Sequence, residues 1–211
     1  MVTYEEALKL TIEGDTVFLV GSGFSTGAEN VSENEDRHLL VGSELAKELA
    51  DLTGMDSGVP LDIVSQEYID MYGEDKLIDY LKSHYMVDTY AEYYKALAKI
   101  KNLRVYSTNY DNLIEKVCND CGNKIKGYSI DADIRKVNKT KIVMHLNGYI
   151  QEVKNSVLPE TFKLSHMSYN NTKFFDTPWY SYLIDELYSA KVIFIIGLSF
   201  SSDIDIRRLV A

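Results

Sequence analysis

The residues that could do chemistry gather where apolar runs end. Val17–Val20 breaks into Gly21-Ser22-Gly23-Phe24-Ser25, and Val105-Tyr106 leads into Ser107-Thr108-Asn109-Tyr110-Asp111. Val192–Ile196 runs into Gly197-Leu198-Ser199, while the segment from Lys141 to Leu146 carries His145 and gives way to Asn147-Gly148. A turn of glycine and hydroxyl residues lets backbone N–H groups approach a phosphate with no Cβ in the way, and a helix N-terminus behind it adds its positive dipole end. The Asn109 amide both donates and accepts without charge, which suits orienting a hydroxyl or a water. His145 offers an imidazole that titrates near neutrality, the natural general base. Each residue also has a plainer use. Gly21, Gly23 and Gly27 depart from the G-x-G-x-x-G spacing and could serve the turn alone. Asn109 and Asp111 could cap the helix that follows. His145 could be a core histidine bonded to a carbonyl. In an extended strand, residues 145 and 147 share a face, so either could border a site.

Polar strand ends of this kind belong to open α/β sheets, which bind ligands beyond the carboxyl ends of their strands. The hydrophobic spacing predicts a helix at 3–13, a strand at 16–20 and an acidic surface loop at 29–42 that could lie over the glycine turn. Helices follow at 43–52, with Ser43 as N-cap, and at 61–71, 73–86 and 88–100. The second half reads as strand 103–107, helix 111–120, a short strand near 125–129, strand 141–146 and a loop or hairpin at 151–163. Helices at 165–171 and 178–190, strand 192–196 and a helix start at 203–210 complete it. Strand 192–196 is apolar throughout, which predicts a central strand covered on both faces. The fold class expected is α/β: a Rossmann-like open, mostly parallel sheet with helices on both faces and a helical insertion at about 43–100. A single domain over 1–211, ending abruptly after a helix start, reads as the N-terminal part of a longer protein.

The 211 residues carry 22 Lys and Arg against 32 Asp and Glu, a formal charge of −10. That disfavours nucleic acid as a direct partner, because a phosphate backbone needs a basic footprint. A small anionic ligand held by backbone amides stays compatible. Cys118 and Cys121 form a single C-x-x-C, which cannot complete a tetrahedral thiolate zinc site, and His38, His84 and His166 have no ligand spacing, so no metal is expected. With neither a signal peptide nor an apolar run of membrane-spanning length, no membrane association is expected and the cytoplasm is the expected location. Tyr90, Tyr93 and Tyr94 are candidates for an oligomer contact.

Taken together, VGSGFS, STNYDNLIE, HLNGYI and IIGLSFSSDIDI, spread over about residues 15 to 207, resemble the sirtuin-like domain, closest to the branch found in bacterial anti-phage defence proteins. The resemblance implies a domain that takes NAD as substrate and cleaves its nicotinamide–ribose bond to ADP-ribose and nicotinamide, as the effector of abortive infection. It implies a catalytic role for Asn109, with Asp111 holding the nicotinamide carboxamide. It also implies dinucleotide contacts from Gly21, Ser22, Gly23, Phe24, Ser25, Thr108, Gly197 and Ser199. Such domains show His directly before Gly, where this chain has Asn147-Gly148, so His145 and Asn147 compete for the general-base position. A non-catalytic NAD or ADP-ribose sensor, or an assembly module, is the alternative. The deacetylating relatives carry a four-cysteine zinc module that this chain lacks. An NAD-cleaving domain would poison its host, which points to control by homo-oligomer assembly or by a regulatory domain or partner protein beyond the C-terminus. Asp203 and Asp205 follow the Gly-x-Ser turn; charge complementing a helix dipole is the reading for Asp205, while for Asp203 that reading and a role in the site both stand.

Overall fold

The computed structural model describes residues 2–154, 157–164 and 174–199. Helix α1 (Tyr4–Glu13) starts from a reciprocal cap in which the Glu6 N–H donates to Thr3 Oγ1 and the Thr3 N–H to the Glu6 carboxylate. It stops at Gly14, in the left-handed conformation that glycine adopts without a Cβ penalty. Strand β1 (Thr16–Val20) follows, then a single 3-10 turn at Ser22–Phe24 and the short strand β2 (Ala28–Asn30). Three helices come next, α2 (Gly42–Thr53), α3 (Leu61–Tyr72) and α4 (Glu74–Tyr85). Strand β3 (Val87–Tyr90) pairs antiparallel with β2. Beyond a 3-10 segment at Glu92–Lys99 lie β4 (Arg104–Ser107), α5 (Leu113–Asp120), β5 (Gly127–Ser129) and β6 (Ile142–His145). Helix α6 (Pro178–Ser189) and strand β7 (Val192–Ile196) end the described chain.

The main sheet has five parallel strands in the order β5-β6-β4-β1-β7, a Rossmann-like α/β arrangement. Alternation along β1 divides the core in two. Phe18 and Val20 pack with Leu97, Val105, Leu113 and Val117 on the α5 side, while Val17 and Leu19 pack with Tyr106, Met144, Trp179 and Leu183 on the α6 side. A third cluster joins Leu45 and Leu49 of α2, Val64 of α3 and Leu77 and Leu81 of α4 to Tyr110, Ile150 and Phe162. Helices α2–α4 thus form a layer with an apolar interior of its own, fixed to the sheet through the loop after β4.

Three expectations change. Residues 88–100 do not form an α-helix: Val87–Tyr90 is drawn into a strand by pairing with β2, and a 3-10 segment follows. Strand β7 is not central, because among the described residues it pairs only with β1, and Ile193 and Ile195 are each 41% exposed. The residue capping α2 is Val41 rather than Ser43; its N–H donates to the Glu44 carboxylate at 2.9 Å. The helices expected at 165–171 and 203–210, with His166, Asp203 and Asp205, lie outside the described residues.

Candidate functional site

The turn after β1 is built by backbone crowding. Gly197, just past β7, has φ +64, and a Cβ there would fall 2.2 Å from the Phe24 nitrogen and 2.4 Å from the Gly23 carbonyl carbon. A Cβ on Gly23 would meet Gly197 Cα at 2.8 Å, and the Gly23 N–H donates to the Gly197 carbonyl at 3.0 Å. The two glycine turns therefore lie against each other, so the glycines serve this close approach first. No α-helix follows the first turn directly, against expectation. The helix N-terminus that borders the same cleft belongs instead to α2, through Gly42 and Ser43.

That cleft has a volume of about 820 Å³, in the range of small-molecule sites. Ser22, Gly23 and Ser25 line it from the first turn, Thr108 to Asp111 from the loop after β4, Asn147 from the end of β6, and Gly197 and Ser199 from the end of β7. The opposite wall comes from residues 39–43 and 57–61 with Ala46 and Tyr85. Gly21 and Phe24 lie behind the surface. The Gly21 carbonyl accepts from Asn109, the Phe24 carbonyl accepts from Tyr94 Oη, and the Phe24 ring packs edge-on against Tyr94. Tyr94 Oη also accepts from the Gly27 N–H, so this buried tyrosine pins the turn and is not available for an oligomer contact. Cys118 is buried and Cys121 exposed, both unbridged.

Asn109 and Asp111 share one hydrogen-bonded chain. Asn109 Nδ2 donates to the Gly21 carbonyl and to Ser25 Oγ, both at 3.0 Å, and Ser25 Oγ donates to Asp111 Oδ2 at 2.8 Å. Because a carbonyl can only accept, the Gly21 contact fixes which end of the Asn109 amide faces it. Both donor hydrogens are committed, so what Asn109 has left for the cleft is its amide oxygen. Asp111 Oδ1 accepts the Leu113 N–H at 3.0 Å, so the capping role is real for Asp111, while Asn109 makes no such bond. Burial pushes the Asp111 carboxyl above its ordinary value, against the hydrogen bonds from Leu113 and Ser25 and the nearby His145. No Lys, Arg or His side chain lines the cleft among the described residues, and Asp111 is its one carboxylate.

His145 is 1% exposed and sits behind the wall. Its Nδ1 lies 2.8 Å from the Asn109 carbonyl, its Nε2 lies 2.9 Å from Glu115 Oε1, and its ring stacks on Tyr149 at 4.1 Å. Strand β6 ends at His145, so the alternation that would put residues 145 and 147 on one face no longer holds. Asn147 lines the cleft instead, its Nδ2 donating to the Thr108 carbonyl at 3.2 Å and its own carbonyl accepting from the Lys163 N–H. Residues 39–42, from the loop expected to lie over the glycine turn, do border the cleft with that turn, whereas sequence reasoning missed Glu115, Tyr149 and the 57–61 wall and gave Tyr94 a different role. Only Glu115 left a trace, one helical turn after Asp111 in the STNYDNLIE segment.

A SIR2-like domain family model matches residues 103–211, just over half of the chain, from the β4 strand and its Asn109–Asp111 loop onward. The chain belongs to the SIR2-like domain family. Members of this family bind NAD and are NAD-dependent enzymes. The match leaves β1 and its glycine turn outside, yet β1 pairs with β4 and β7 in the same sheet, and the bonds that Asn109 and Asp111 share with Gly21 and Ser25 join the matched segment to the turn. No curated protein matches the chain. None of the helices among the described residues is long and apolar enough to cross a membrane.

Proposed function

We propose that this chain is an NAD glycohydrolase, which cleaves the nicotinamide–ribose bond with water to give ADP-ribose, nicotinamide and a proton. The observation that carries the reading is the Asn109 amide, held by Gly21 and Ser25 so that its oxygen is left for the cleft beside Asp111. Nicotinamide leaves as a neutral ring and needs no acid. What the site must do is stabilise an oxocarbenium-like ribose and place a water. The Asn109 oxygen accepts a hydrogen from that water or from a ribose hydroxyl. With His145 behind the wall, Asp111 is the group on the cleft that takes the proton, and the direction of its pKa shift favours that role. The pyrophosphate, which meets no cationic side chain on the cleft among the described residues, is held by the backbone N–H groups of Ser22, Gly42 and Ser43, since those of Gly23, Phe24 and Ser25 already donate to carbonyls of the turns, with the Ser199 hydroxyl near the adenosine ribose.

The test is nicotinamide release by wild type, Asn109→Ala, His145→Ala and Asn147→Ala at several protein concentrations. Asn109→Ala is expected to abolish release, and activity that climbs with concentration would support control by self-assembly. We further propose an abortive-infection role in the bacterial cytoplasm. Expression in bacteria should deplete NAD and arrest growth with wild type but not with Asn109→Ala.

Among the described residues no imidazole lines the cleft wall, which favours one second reading, a sensor that binds NAD or ADP-ribose without turnover. Calorimetric titration with product chromatography separates the two: binding with NAD recovered intact rejects the hydrolase.

A further inference from the structure

We infer that Glu115 and His145 are positioning residues, a buried pair that shares one proton and holds the Asn109 main chain by its carbonyl. The inference rests on the reading of Asn109 given above. The Asn109 carbonyl can only accept, so at 2.8 Å the His145 Nδ1 must carry its hydrogen. The other nitrogen, Nε2, faces Glu115 Oε1 at 2.9 Å, with the two side chains 2% and 4% exposed. Two protonation states satisfy both contacts. One is imidazolium against carboxylate, and the other is the Nδ1–H imidazole against carboxylic acid. Neutral imidazole beside ionised Glu115 fails, because the ring proton moves to Nε2 and a bare Nδ1 lone pair then faces the carbonyl.

The surroundings retain that proton. Glu115 Oε2 has no hydrogen-bond partner among the described residues, so His145 is the group that answers the carboxylate. A Cβ on Gly127 would fall 2.0 Å from Glu115 Oε1, which shows how closely the β5 backbone covers the pair. The titratable groups facing the pair are Asp111 in the loop after β4, Cys118 on α5 and Tyr149 after β6. None of them is cationic. Burial alone would drive His145 down, but the Glu115 charge and hydrogen bond and the Asn109 carbonyl outweigh it and hold the imidazole above its ordinary value. Neither member lines the cleft, so the pair acts through Asn109 rather than on a ligand.

Glu115→Gln and Glu115→Leu separate positioning from general support of the fold. Glutamine donates from its amide to Nε2 and keeps the Nδ1–H tautomer without a titratable proton; leucine leaves the tautomer free. Nitrogen NMR of the histidine rings should find His145 protonated at Nδ1 in wild type and in Glu115→Gln. In nicotinamide release, Glu115→Gln should keep kcat but lose the alkaline fall of the wild-type pH profile. Glu115→Leu should lose about 100-fold in kcat with an almost unchanged Kd for NAD, the scale expected when a reacting group is misplaced by about 1 Å. An Nε2–H tautomer in wild type, a folded Glu115→Leu with wild-type kcat, or an alkaline limb that persists in Glu115→Gln overturns the inference. If Glu115→Leu does not fold, the ring tautomers and the Glu115→Gln profile decide. If wild type releases no nicotinamide at all, the proposed function fails while the ring tautomers still decide the pair.

Discussion

Gly197→Ala is the sharpest single perturbation this site offers. At φ +64 an L-residue costs about 1 to 2 kcal/mol before any contact is considered. The new methyl would also stand 2.2 Å from the Phe24 nitrogen and 2.4 Å from the Gly23 carbonyl carbon. Both are backbone atoms, so no side chain can rotate away, and one turn must retreat from the other. That retreat stretches the 3.0 Å bond from the Gly23 N–H to the Gly197 carbonyl, worth about 1 kcal/mol. Together these predict a loss of about 2 to 4 kcal/mol in urea unfolding. Because Ser25 and the Gly21 carbonyl belong to the displaced turn, the Asn109 amide loses its hold, and NAD binding should weaken by about tenfold or more. Gly58→Ala, where nothing lies within 4 Å of the added carbon, is the control and should stay within about 0.5 kcal/mol of wild type. If Gly197→Ala unfolds with the wild-type midpoint and binds NAD with wild-type affinity, the turn-on-turn account of the cleft is wrong.

Asp111→Asn should lower nicotinamide release by at least about 100-fold without lowering stability at pH 7. A carboxyl whose folded pKa is raised binds its proton more tightly folded than unfolded, so it subtracts stability above the ordinary carboxylate range. The advantage of the asparagine variant should therefore be present at neutral pH and vanish as pH falls towards about 4, as urea titrations across pH would show. Tyr94→Phe removes the hydroxyl that joins the Phe24 carbonyl to the Gly27 N–H, and should cost about 1 to 3 kcal/mol in the same assay.

Much of this was legible in the sequence because local pattern and global fold agree there. The buried strands β1, β4 and β6 follow their apolar runs, and four strand ends expected to carry chemistry do converge on one cleft. What stayed hidden needed partners far along the chain. Val87–Tyr90 reads as helix until β2 is present to pair with it. His145 and Asn147 look equivalent by alternation, and only the end of β6 at His145 separates them. Tyr94 reads as one tyrosine among several, since its two bonds to the first turn have no local signature.

The bonds that make the site span unusual lengths of chain: Ser25 to Asp111 over 86 residues, Asn109 to Gly21 over 88, and His145 to Asn109 over 36. Contacts of such separation form late in folding, after the ends of long loops have met. On the ribosome, a chain grown past Asp111 but short of His145 lacks the tether on the Asn109 carbonyl, and one short of Gly197 has no second turn to hold the first. The cleft therefore cannot be complete until the chain has been made through Gly197, so a half-made polypeptide carries the residues of the site without their arrangement.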